Sequence, residues 1–229
     1  MSRKRPVVAI DGPAGAGKTT VTRRVAEALG YTLVDTGALY RTVALAAERK
    51  GLSWSDESAV ATLAEGLAEQ GAVRFEGQRI TLFGEDVSQL IRTQEIAEGA
   101  SQVSAIPGVR AALLDMQRAA GAEGGVVLEG RDIGTVVFPD AEAKFFLTAS
   151  VDVRAERRFQ ELRSRGAPAE LDRVRDEVVQ RDHRDTMRPV APLTQAEDAT
   201  LVDSSGMSID EVVAHIVNHT RDVARKLGS

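Results

Sequence analysis

Short, mostly apolar runs alternate with amphipathic segments along much of this 229-residue chain. Such runs are expected of strands that are buried on both faces. Most of them are followed by apolar residues at helical spacing, and the last such helix covers residues 209 to about 227. The alternation predicts an α/β fold in which helices cover both faces of a parallel sheet. The five strand candidates are residues 7–10, 32–34, 126–128, 144–147 and 200–202.

The middle of the chain departs from this rhythm. Ser55 or Asp56 can cap a helix that ends near residue 70. Apolar and polar residues then alternate on both sides of a turn at Glu76 and Gly77, which predicts an antiparallel hairpin. Another helical stretch ends near residue 104, and Pro107 opens the next helix. We therefore expect a core domain formed by residues 1–51 and 121–229, with residues 52–120 inserted as a small lobe.

A glycine-rich loop connects the first predicted strand to the first helix. Backbone N–H groups of such a loop and the N-terminus of the helix can converge on phosphate oxygens. Lys18 can reach the β- and γ-phosphates, and the hydroxyl of Thr19 can bind Mg²⁺. We therefore predict that the protein binds a nucleoside triphosphate with Mg²⁺. The loop consists of Gly12, Pro13, Ala14, Gly15, Ala16, Gly17, Lys18 and Thr19.

Polar segments follow the second and third predicted strands, where an open parallel sheet gathers its ligands. Thr36 can cap the helix after the second strand, which leaves Tyr40 and Arg41 about one turn into that helix. After the third strand, Arg131 and Asp132 stand between glycines, which indicates a backbone held close to a ligand. The alternative interpretations are an ordinary capped helix with a solvated arginine and a surface ion pair.

Residues 154–188 contain ten arginines and no lysine, together with eight acidic residues. A merely solvated surface would mix the two cations, whereas arginine alone favours bidentate binding of phosphate or carboxylate. Arg181, Asp185 and Arg188 are spaced i, i+4 and i+7, on one side of a predicted helix. We expect the cluster to bind substrate, although any single arginine could equally serve on the surface. The spacing of four earlier arginines is compatible with one face of another helix: Arg154, Arg157, Arg158 and Arg165.

The composition excludes several other functions. The net charge of −5 and the pI of about 5.4 argue against a general binder of nucleic acids or membranes. The absence of cysteine excludes a disulfide framework and a thiolate metal site. His215 and His219 are four residues apart, but no third ligand accompanies them. Asp11 ends the first apolar stretch too early for a signal peptide, so we expect a cytoplasmic protein without nucleic-acid or membrane partners.

Together these segments resemble the bacterial cytidylate kinases, which phosphorylate CMP and dCMP with ATP. The resemblance covers nearly the whole chain in order. It implies a P-loop nucleoside monophosphate (NMP) kinase fold with a five-stranded parallel sheet and a mobile, arginine-rich lid near residues 151–170. The inserted region then corresponds to an enlarged NMP-binding lobe with a small antiparallel sheet. The matching segments are residues 10–18, 35–41, 84–88, 91–93, 130–140, 181–188 and 191–193.

The resemblance implies a function for individual arginines at the two phosphate groups. Arg41, Arg131 and Arg188 correspond to residues that bind the phosphate of the acceptor nucleotide. Arg157 and Arg158, in the lid, correspond to residues that close on the phosphoryl group during transfer. The implied catalytic residues are Lys18, Arg131, Arg157, Arg158 and Arg188.

The resemblance also implies how the nucleoside is bound. Ser101, Arg110 and Asp132 correspond to cytosine-binding residues. Arg181 and Asp185 correspond to residues that bind the ribose.

Two positions differ from many members of the family, and both keep the required chemistry. Thr36 stands where many relatives have Ser, so a hydroxyl is retained there next to Tyr40 and Arg41 in the substrate-binding segment. Thr19 and Thr20 follow Lys18 where some members have Gly-Thr, and Thr19 supplies the usual hydroxyl for Mg²⁺. We include Thr20 with the ATP-binding loop.

Other functions remain open from the residues alone. The chain could be another small-molecule P-loop kinase that acts on AMP, UMP or shikimate. It could be a GTP-binding switch, although its single asparagine, Asn218, excludes the Asn-Lys-x-Asp motif for guanine. It could also be a nucleotide-gated binding module without turnover. We expect a monomer, and the sequence does not choose among Asp35, Glu129 and Asp132 as the acid that orders Mg²⁺.

Overall fold

The computed structural model describes residues 3–76, 79–164 and 166–228. The chain forms two compact units, the first made of Met1–Tyr31 and Glu123–Ser229 and the second of Thr32–Ala122. A 3₁₀ turn at Leu90–Arg92 and a π-helical turn at Ile133–Val137 complete the regular structure of the described residues. In chain order the elements are β1 (Val7–Asp11), α1 (Lys18–Leu29), β2 (Thr32–Asp35), α2 (Thr36–Arg49), α3 (Glu57–Glu69), β3 (Val73–Glu76), β4 (Arg79–Leu82), β5 (Glu85–Asp86), α4 (Gln94–Val103), α5 (Pro107–Gly121), β6 (Val126–Gly130), β7 (Ala143–Thr148), α6 (Val151–Ser164), α7 (Leu171–Met187), β8 (Thr200–Asp203) and α8 (Ile209–Leu227).

The main sheet has five strands in the order β2-β6-β1-β7-β8. Strand β1 pairs in parallel with β6 and with β7, and β7 pairs in parallel with β8. All five residues of β1 are buried, because its neighbours and the helices leave no face of this strand to solvent. The predicted α/β class, with a five-stranded parallel sheet flanked by helices, is confirmed. Each of the five predicted strands is present and extends one or two residues further than its apolar run.

The second unit contains the predicted hairpin. Strands β3 and β4 pair antiparallel, with Val73 opposite Leu82 and Phe75 opposite Ile80. Strand β5 adds a third antiparallel strand through Thr81 and Asp86. The predicted turn at Gly77 lies outside the described residues. The small antiparallel sheet is confirmed.

Side-chain capping sets the starts of α2, α3 and α4 in the second unit. Asp56, one of the two predicted caps, accepts a hydrogen bond from Ala59 N at 3.0 Å and starts α3. The expectation that Thr36 caps α2 is wrong. Asp35 is the N-cap, because its carboxylate accepts from Ala38 N at 3.1 Å, and Thr36 is the first helical residue.

Close packing around Trp54 ties three segments of the second unit together. Its indole Nε1 donates to the carbonyl of Ala44 in α2 at 3.0 Å. Its ring lies against Gly99 in α4, where a Cβ atom would come within 2.4 Å of the indole carbon Cε2. This contact requires glycine at position 99, although the residue is in the interior of a helix.

The end of β1 is joined to the turn after β6 by one buried carboxylate. Asp11 is 5% exposed and accepts hydrogen bonds from Ile133 N at 2.8 Å and Gly134 N at 2.7 Å. These N–H groups begin the π-helical turn, where the backbone lacks an intrahelical acceptor for them. Burial raises the pKa of Asp11 from its ordinary value of 3.8 to about 6, and the two N–H groups oppose this increase.

Within the described part of the chain, no helix is both long enough and apolar enough to cross a lipid bilayer.

Replacing two helical glycines with alanine tests the packing of the second unit. We expect Gly99→Ala to lower the free energy of unfolding by about 1–3 kcal/mol, because the new methyl group overpacks Trp54. The matched control is Gly66→Ala in α3, where the nearest atom to a Cβ is the flexible Gln70 Nε2 at 3.6 Å. This control should gain about 0.5–1 kcal/mol from helix propensity. Urea unfolding of both variants measures the difference, and equal stabilities would contradict the packing described.

The buried carboxylate of Asp11 makes stability depend on pH. Since its pKa is higher in the folded protein than in the unfolded chain, its stabilising contribution is complete below pH 3.8 and is lost as the pH rises through about 6. Between pH 4 and pH 7 the wild type should therefore lose about 2 kcal/mol relative to Asp11→Asn. Unfolding curves of both proteins across this range measure the change. If the free energy of unfolding of the wild type minus that of Asp11→Asn stays constant or rises with pH, the pKa of Asp11 is not raised in the folded protein.

Candidate active site

The glycine loop between β1 and α1 packs tightly against neighbouring backbone. Gly12 has φ of +151°, and a Cβ atom there would lie 1.9 Å from the carbonyl oxygen of Leu147 in β7. Gly17, with φ of +87°, is the N-cap of α1 and turns the chain into the helix. Both positions therefore require glycine. Thr19 and Thr20 are exposed in the first turn of α1, where a helix N-terminus favours anions.

The side chain of Lys18 folds back along this loop. Its ammonium donates hydrogen bonds to the carbonyl oxygens of Gly12 and Pro13, both at 2.7 Å, and the residue is only 7% exposed. Burial lowers the pKa of Lys18 well below its ordinary value, the positive charge of Arg131 lowers it further, and the carboxylate of Glu129 opposes both effects. Two cations from different parts of the first unit thus share one electrostatic neighbourhood, as binding of a polyphosphate requires.

The hydroxyl of Thr19 lies beside a buried carboxylate. Its Oγ1 donates to Oε2 of Glu129, near the end of β6, at 3.1 Å. Glu129 is 5% exposed. A hydroxyl and a carboxylate are the hard oxygen donors that suit Mg²⁺. Of the three acids that the sequence left open, Glu129 contacts Thr19.

Two buried ion pairs connect the segment after β6 to helix α7. Arg131 Nε donates to Oδ2 of Asp185 at 2.7 Å. Arg188 Nη2 donates to Oδ1 of Asp132 at 3.3 Å, and its Nε donates to the carbonyl of Ala191 at 2.6 Å. The two guanidinium groups are thereby fixed in position before any phosphate is bound. The surface-pair interpretation of Arg131 and Asp132 is wrong, because their side chains are only 18% and 7% exposed and each pairs with a different, buried partner.

The charges around the first of these pairs hold Arg131 and Asp185 ionised. Burial raises the pKa of Asp185, but Arg131, Arg181 and Arg188 outweigh it, so that the pKa lies below its ordinary value. Burial lowers the pKa of Arg131, but the carboxylate of Asp185 outweighs this effect, so the pKa of Arg131 lies above its ordinary value. Arg181 is half-buried in α7 and contributes its charge to this group.

The sequence placed Arg188 on a helix, and this expectation is wrong in detail. Helix α7 ends at Met187, and Arg188 is its C-cap with extended backbone. Leaving the helix lets the Arg188 side chain reach Asp132 and Ala191 together. A Cβ atom at Gly134 would lie 3.2 Å from Cδ of Lys144, so close packing within the protein also favours glycine at this position.

The arginines of α6 have different environments. Arg157 Nη2 donates to the carbonyl of Ser204 at 2.9 Å, and Nη1 lies 3.1 Å from its hydroxyl. The same Nη1 is 3.5 Å from the carbonyl of Ala16, so Arg157 lies beside the phosphate loop. Arg158 instead pairs with Glu161 one turn further along α6, at 2.8 Å, and remains partly exposed.

Arg154 is the buried arginine of this group. It is 4% exposed, and its guanidinium donates to Ala14 and Ala149 carbonyls and to the carboxylate of Asp182. The sequence offered no sign that this arginine differs from its neighbours. Arg165, from the same predicted face, lies outside the described residues.

The second unit holds the remaining predicted residues. Arg41 Nη2 donates to Oδ2 of Asp35 at 2.5 Å, so the segment after β2 forms an internal ion pair. Arg110 Nη1 donates to the carbonyl of Ser104 at 3.0 Å, and its guanidinium carbon lies 5.3 Å from the centre of the Tyr40 ring. Thr36 is also buried, at 2% exposure.

Ser101 carries a buried hydroxyl in the last turn of α4. The residue is 3% exposed, and its Oγ makes no hydrogen bond to any residue that the structure describes. Such a group costs free energy unless a ligand or water satisfies it. Three residues further along the chain, the carbonyl of Ser104 accepts the hydrogen bond from Arg110.

The histidines form no metal site. His219 packs edge-on against the ring of Phe145, with ring centres 5.2 Å apart. Across residues 3–76, 79–164 and 166–228, no three His, Asp or Glu side chains come together in a way that could hold a metal ion.

Sequence reasoning missed three residues with defined contacts in the first unit. Asp11 fixes the start of the π-helical turn, Asp182 pairs with Arg154, and Ser204 holds Arg157. Their partners lie 28 to 122 residues away along the chain. The only local signal was the position of Asp11, a charged residue at the end of an apolar strand.

Comparisons with known proteins point to one family. Residues 8–222 match the family described as cytidylate kinase. A cytidylate kinase from Geobacter sp. (strain M21) is 54% identical over 207 residues, which are 90% of this chain and 89% of the relative. A cytidylate kinase from Pseudomonas syringae pv. tomato (strain ATCC BAA-871 / DC3000) is 49% identical over 228 residues, 98% of this chain and 100% of the relative.

One solved structure supports the fold alone. An uncharacterized protein from Eubacterium ventriosum ATCC 27560 superposes with a TM-score of 0.51 at 11% identity, covering 95% of this chain and 99% of that one.

The family match decides among the functions that the residues left open. It spans nearly the whole chain and favours an enzyme that phosphorylates cytidylate over a GTP-binding switch or a binding module. The predicted class of enzyme, a P-loop nucleotide kinase, is confirmed. The chain belongs to the cytidylate kinase family.

Proposed function

We propose that this protein transfers the γ-phosphoryl group of ATP to CMP or dCMP and releases ADP with CDP or dCDP. The observation that carries the proposal is that carboxylates of the first unit fix the guanidinium groups of Arg131 and Arg188, while Lys18 is held by the carbonyls of the phosphate loop. Arg131 lowers the pKa of Lys18, and Asp185 both pairs with Arg131 and opposes that effect. A site with fixed cations on both sides suits a reaction between two anionic phosphate groups.

The proposed chemistry depends on position and charge. The phosphate of a nucleoside monophosphate is already an anionic nucleophile at neutral pH, so no strong general base is needed. Arg131 and Arg188 would hold this acceptor phosphate, and Lys18, Arg157 and Arg158 would neutralise the phosphoryl group in transfer. The ion pairs that fix Arg131 and Arg188 support these functions, because their guanidinium groups need little reorganisation when the phosphate binds.

We also propose that Thr19 and Glu129 hold the Mg²⁺ that accompanies ATP. Their adjacent oxygens at 3.1 Å, at the N-terminal end of α1, match the donor preference of this ion. The bound ion would supply additional neutralisation of charge on the phosphate oxygens. Thr19 would contribute its hydroxyl and Glu129 its carboxylate to holding the ion.

For the nucleoside, we propose that Ser101, Arg110 and Asp132 bind cytosine and that Arg181 and Asp185 bind the ribose. The buried hydroxyl of Ser101, which has no partner among described residues, supports a ligand at this position. Cytosine presents an amino donor with the N3 and O2 acceptors. A carboxylate with hydroxyl and guanidinium donors complements that pattern.

The remaining assignments are also proposals. Residues 52–120 would act as the NMP-binding lobe, and residues 151–170 as the lid. Thr36, Tyr40 and Arg41 would belong to the substrate-binding set. We propose that the enzyme acts as a monomer in the cytoplasm, where nucleoside triphosphates are available.

Removing one guanidinium tests the acceptor site. We expect Arg131→Ala to raise the KM for CMP by about 10- to 100-fold and to lower kcat, because a charge-assisted phosphate contact is lost. Steady-state kinetics with a coupled ADP assay measures both constants. The matched control is Arg173→Ala on helix α7, whose side chain is 80% exposed and pairs with Glu177 at 3.5 Å. Wild-type constants in folded Arg131→Ala would refute the assignment.

Base selectivity tests the nucleoside site separately. UMP carries an N3–H donor and an O4 acceptor where cytosine has an acceptor and a donor, so it would leave the polar groups of the site unpaired. We expect kcat/KM for CMP to exceed that for UMP by at least about 100-fold. Turnover of CMP, dCMP and UMP under the same conditions measures the ratio. Equal turnover of CMP and UMP would remove the cytosine assignment and leave phosphoryl transfer untouched.

A further inference from the structure

A buried arginine outside the proposed catalytic set connects three parts of the first unit. Arg154, in the first turn of α6, is 4% exposed. Its Nε donates to the carbonyl of Ala149 at 2.9 Å, and its Nη1 to the carbonyl of Ala14 at 3.0 Å. Nη1 and Nη2 also donate to the two carboxylate oxygens of Asp182 in α7, at 3.0 and 2.6 Å. One guanidinium therefore satisfies three separate acceptors.

The phosphate loop rests directly on this residue. A Cβ atom on Gly15 would lie 3.1 Å from both the Cβ and the carbonyl oxygen of Arg154. Ala14, the preceding loop residue, supplies the carbonyl that Arg154 Nη1 binds. The apex of the loop is thus held by van der Waals contact and by a hydrogen bond at neighbouring positions. A loop that binds phosphate through its backbone N–H groups depends on such fixed geometry.

Asp182, the carboxylate partner of Arg154, lies on helix α7, which also carries Arg181 and Asp185 of the proposed nucleoside site. Asp182 is three residues before Asp185, so the two carboxylates project from the same side of α7. Asp185 in turn accepts from Arg131 at 2.7 Å. Helix α7 is therefore held to the phosphate loop through Arg154 and to Arg131 through Asp185.

We propose that Arg154 and Asp182 are positioning residues for phosphoryl transfer, which hold the apex of the phosphate loop against helices α6 and α7. The proposal rests on the proposed function, in which this loop binds the triphosphate of ATP. Arginine is required because its planar guanidinium donates in three directions at once, whereas a lysine ammonium on a flexible stem cannot reproduce the bidentate contact with Asp182. Neither residue touches the reacting atoms in this account.

The test compares two ion pairs that join the same helices. Asp182→Asn removes the charge of the buried pair with little change in shape. The matched control is Asp152→Asn, which breaks the exposed pair between Asp152 in α6 and Arg175 in α7, where the side chains are 78% and 50% exposed and 2.8 Å apart. Isothermal titration calorimetry with Mg-ATP and steady-state kinetics are measured on both variants. Thermal unfolding monitors their stability.

We expect Asp182→Asn to raise the Kd for Mg-ATP about tenfold and to lower kcat by about 100-fold, because the loop is displaced. Asp152→Asn should change either value less than about twofold, because exposed pairs contribute little. Arg154→Lys should give the same defects as Asp182→Asn. The double variant should be no worse than either single variant, since the pair acts as one unit.

A merely structural pair would lower the unfolding temperature and leave the Kd for Mg-ATP of the folded protein unchanged, and this result would overturn the proposal. Equal effects of Asp182→Asn and Asp152→Asn would also overturn it. If Asp182→Asn does not fold, Arg154→Lys gives the same comparison. Failure of the wild type to bind Mg-ATP would instead contradict the proposed function, so the two failures are distinguishable.

Discussion

The buried ion pairs of Arg131 with Asp185 and of Arg188 with Asp132 are the interactions on which the rest of the site depends. A guanidinium that is removed from water loses hydration worth several kcal/mol, so it needs carboxylates close by. The aspartates supply this compensation and also fix the direction in which the donors point. A phosphate that binds there meets guanidinium groups that are already in position. The conformational entropy of ordering these side chains is lost when the protein folds, not when the phosphate binds.

The same principle explains the environment of the phosphate loop. Lys18 donates to carbonyls of the loop, Glu129 accepts from Thr19, and Arg154 donates to the carbonyl of Ala14. Each of these side chains is buried or partly buried and has a defined acceptor or donor. The loop cannot carry any side chain at position 12, because the backbone of β7 is too close. The close approach of Gly12 to β7 therefore belongs both to the packing of the sheet and to the shape of the phosphate loop.

Local patterns were sufficient for the elements of the fold but insufficient for the contacts between side chains. The strands and the phosphate loop are encoded in contiguous residues, so periodicity and glycine spacing predicted them correctly. The cap of α2 was missed by one residue, because Asp35 and Thr36 are both good caps and only the backbone conformation distinguishes them. The π-helical turn after Asp132 was missed because no propensity marks it, and its first N–H groups depend on Asp11 from another strand.

The arginine-rich stretch shows the same limit more clearly. Its composition predicted recognition of phosphate, but Arg154, Arg157 and Arg158 look alike in sequence. Their environments differ because Asp182 and Ser204 come from other elements, 28 and 47 residues further along the chain. Burial of an arginine cannot be seen from its own helix when the carboxylate that permits it lies elsewhere.

Equilibrium binding of CMP and of cytidine to the purified protein tests most directly whether paired guanidinium groups anchor the acceptor through its phosphate. Both ligands carry the same base and sugar, and only CMP carries the anion. Calorimetry should give a Kd for cytidine at least about 100-fold higher than that for CMP, the loss expected when two charge-assisted contacts are absent. Equal affinities for the two ligands would contradict the account.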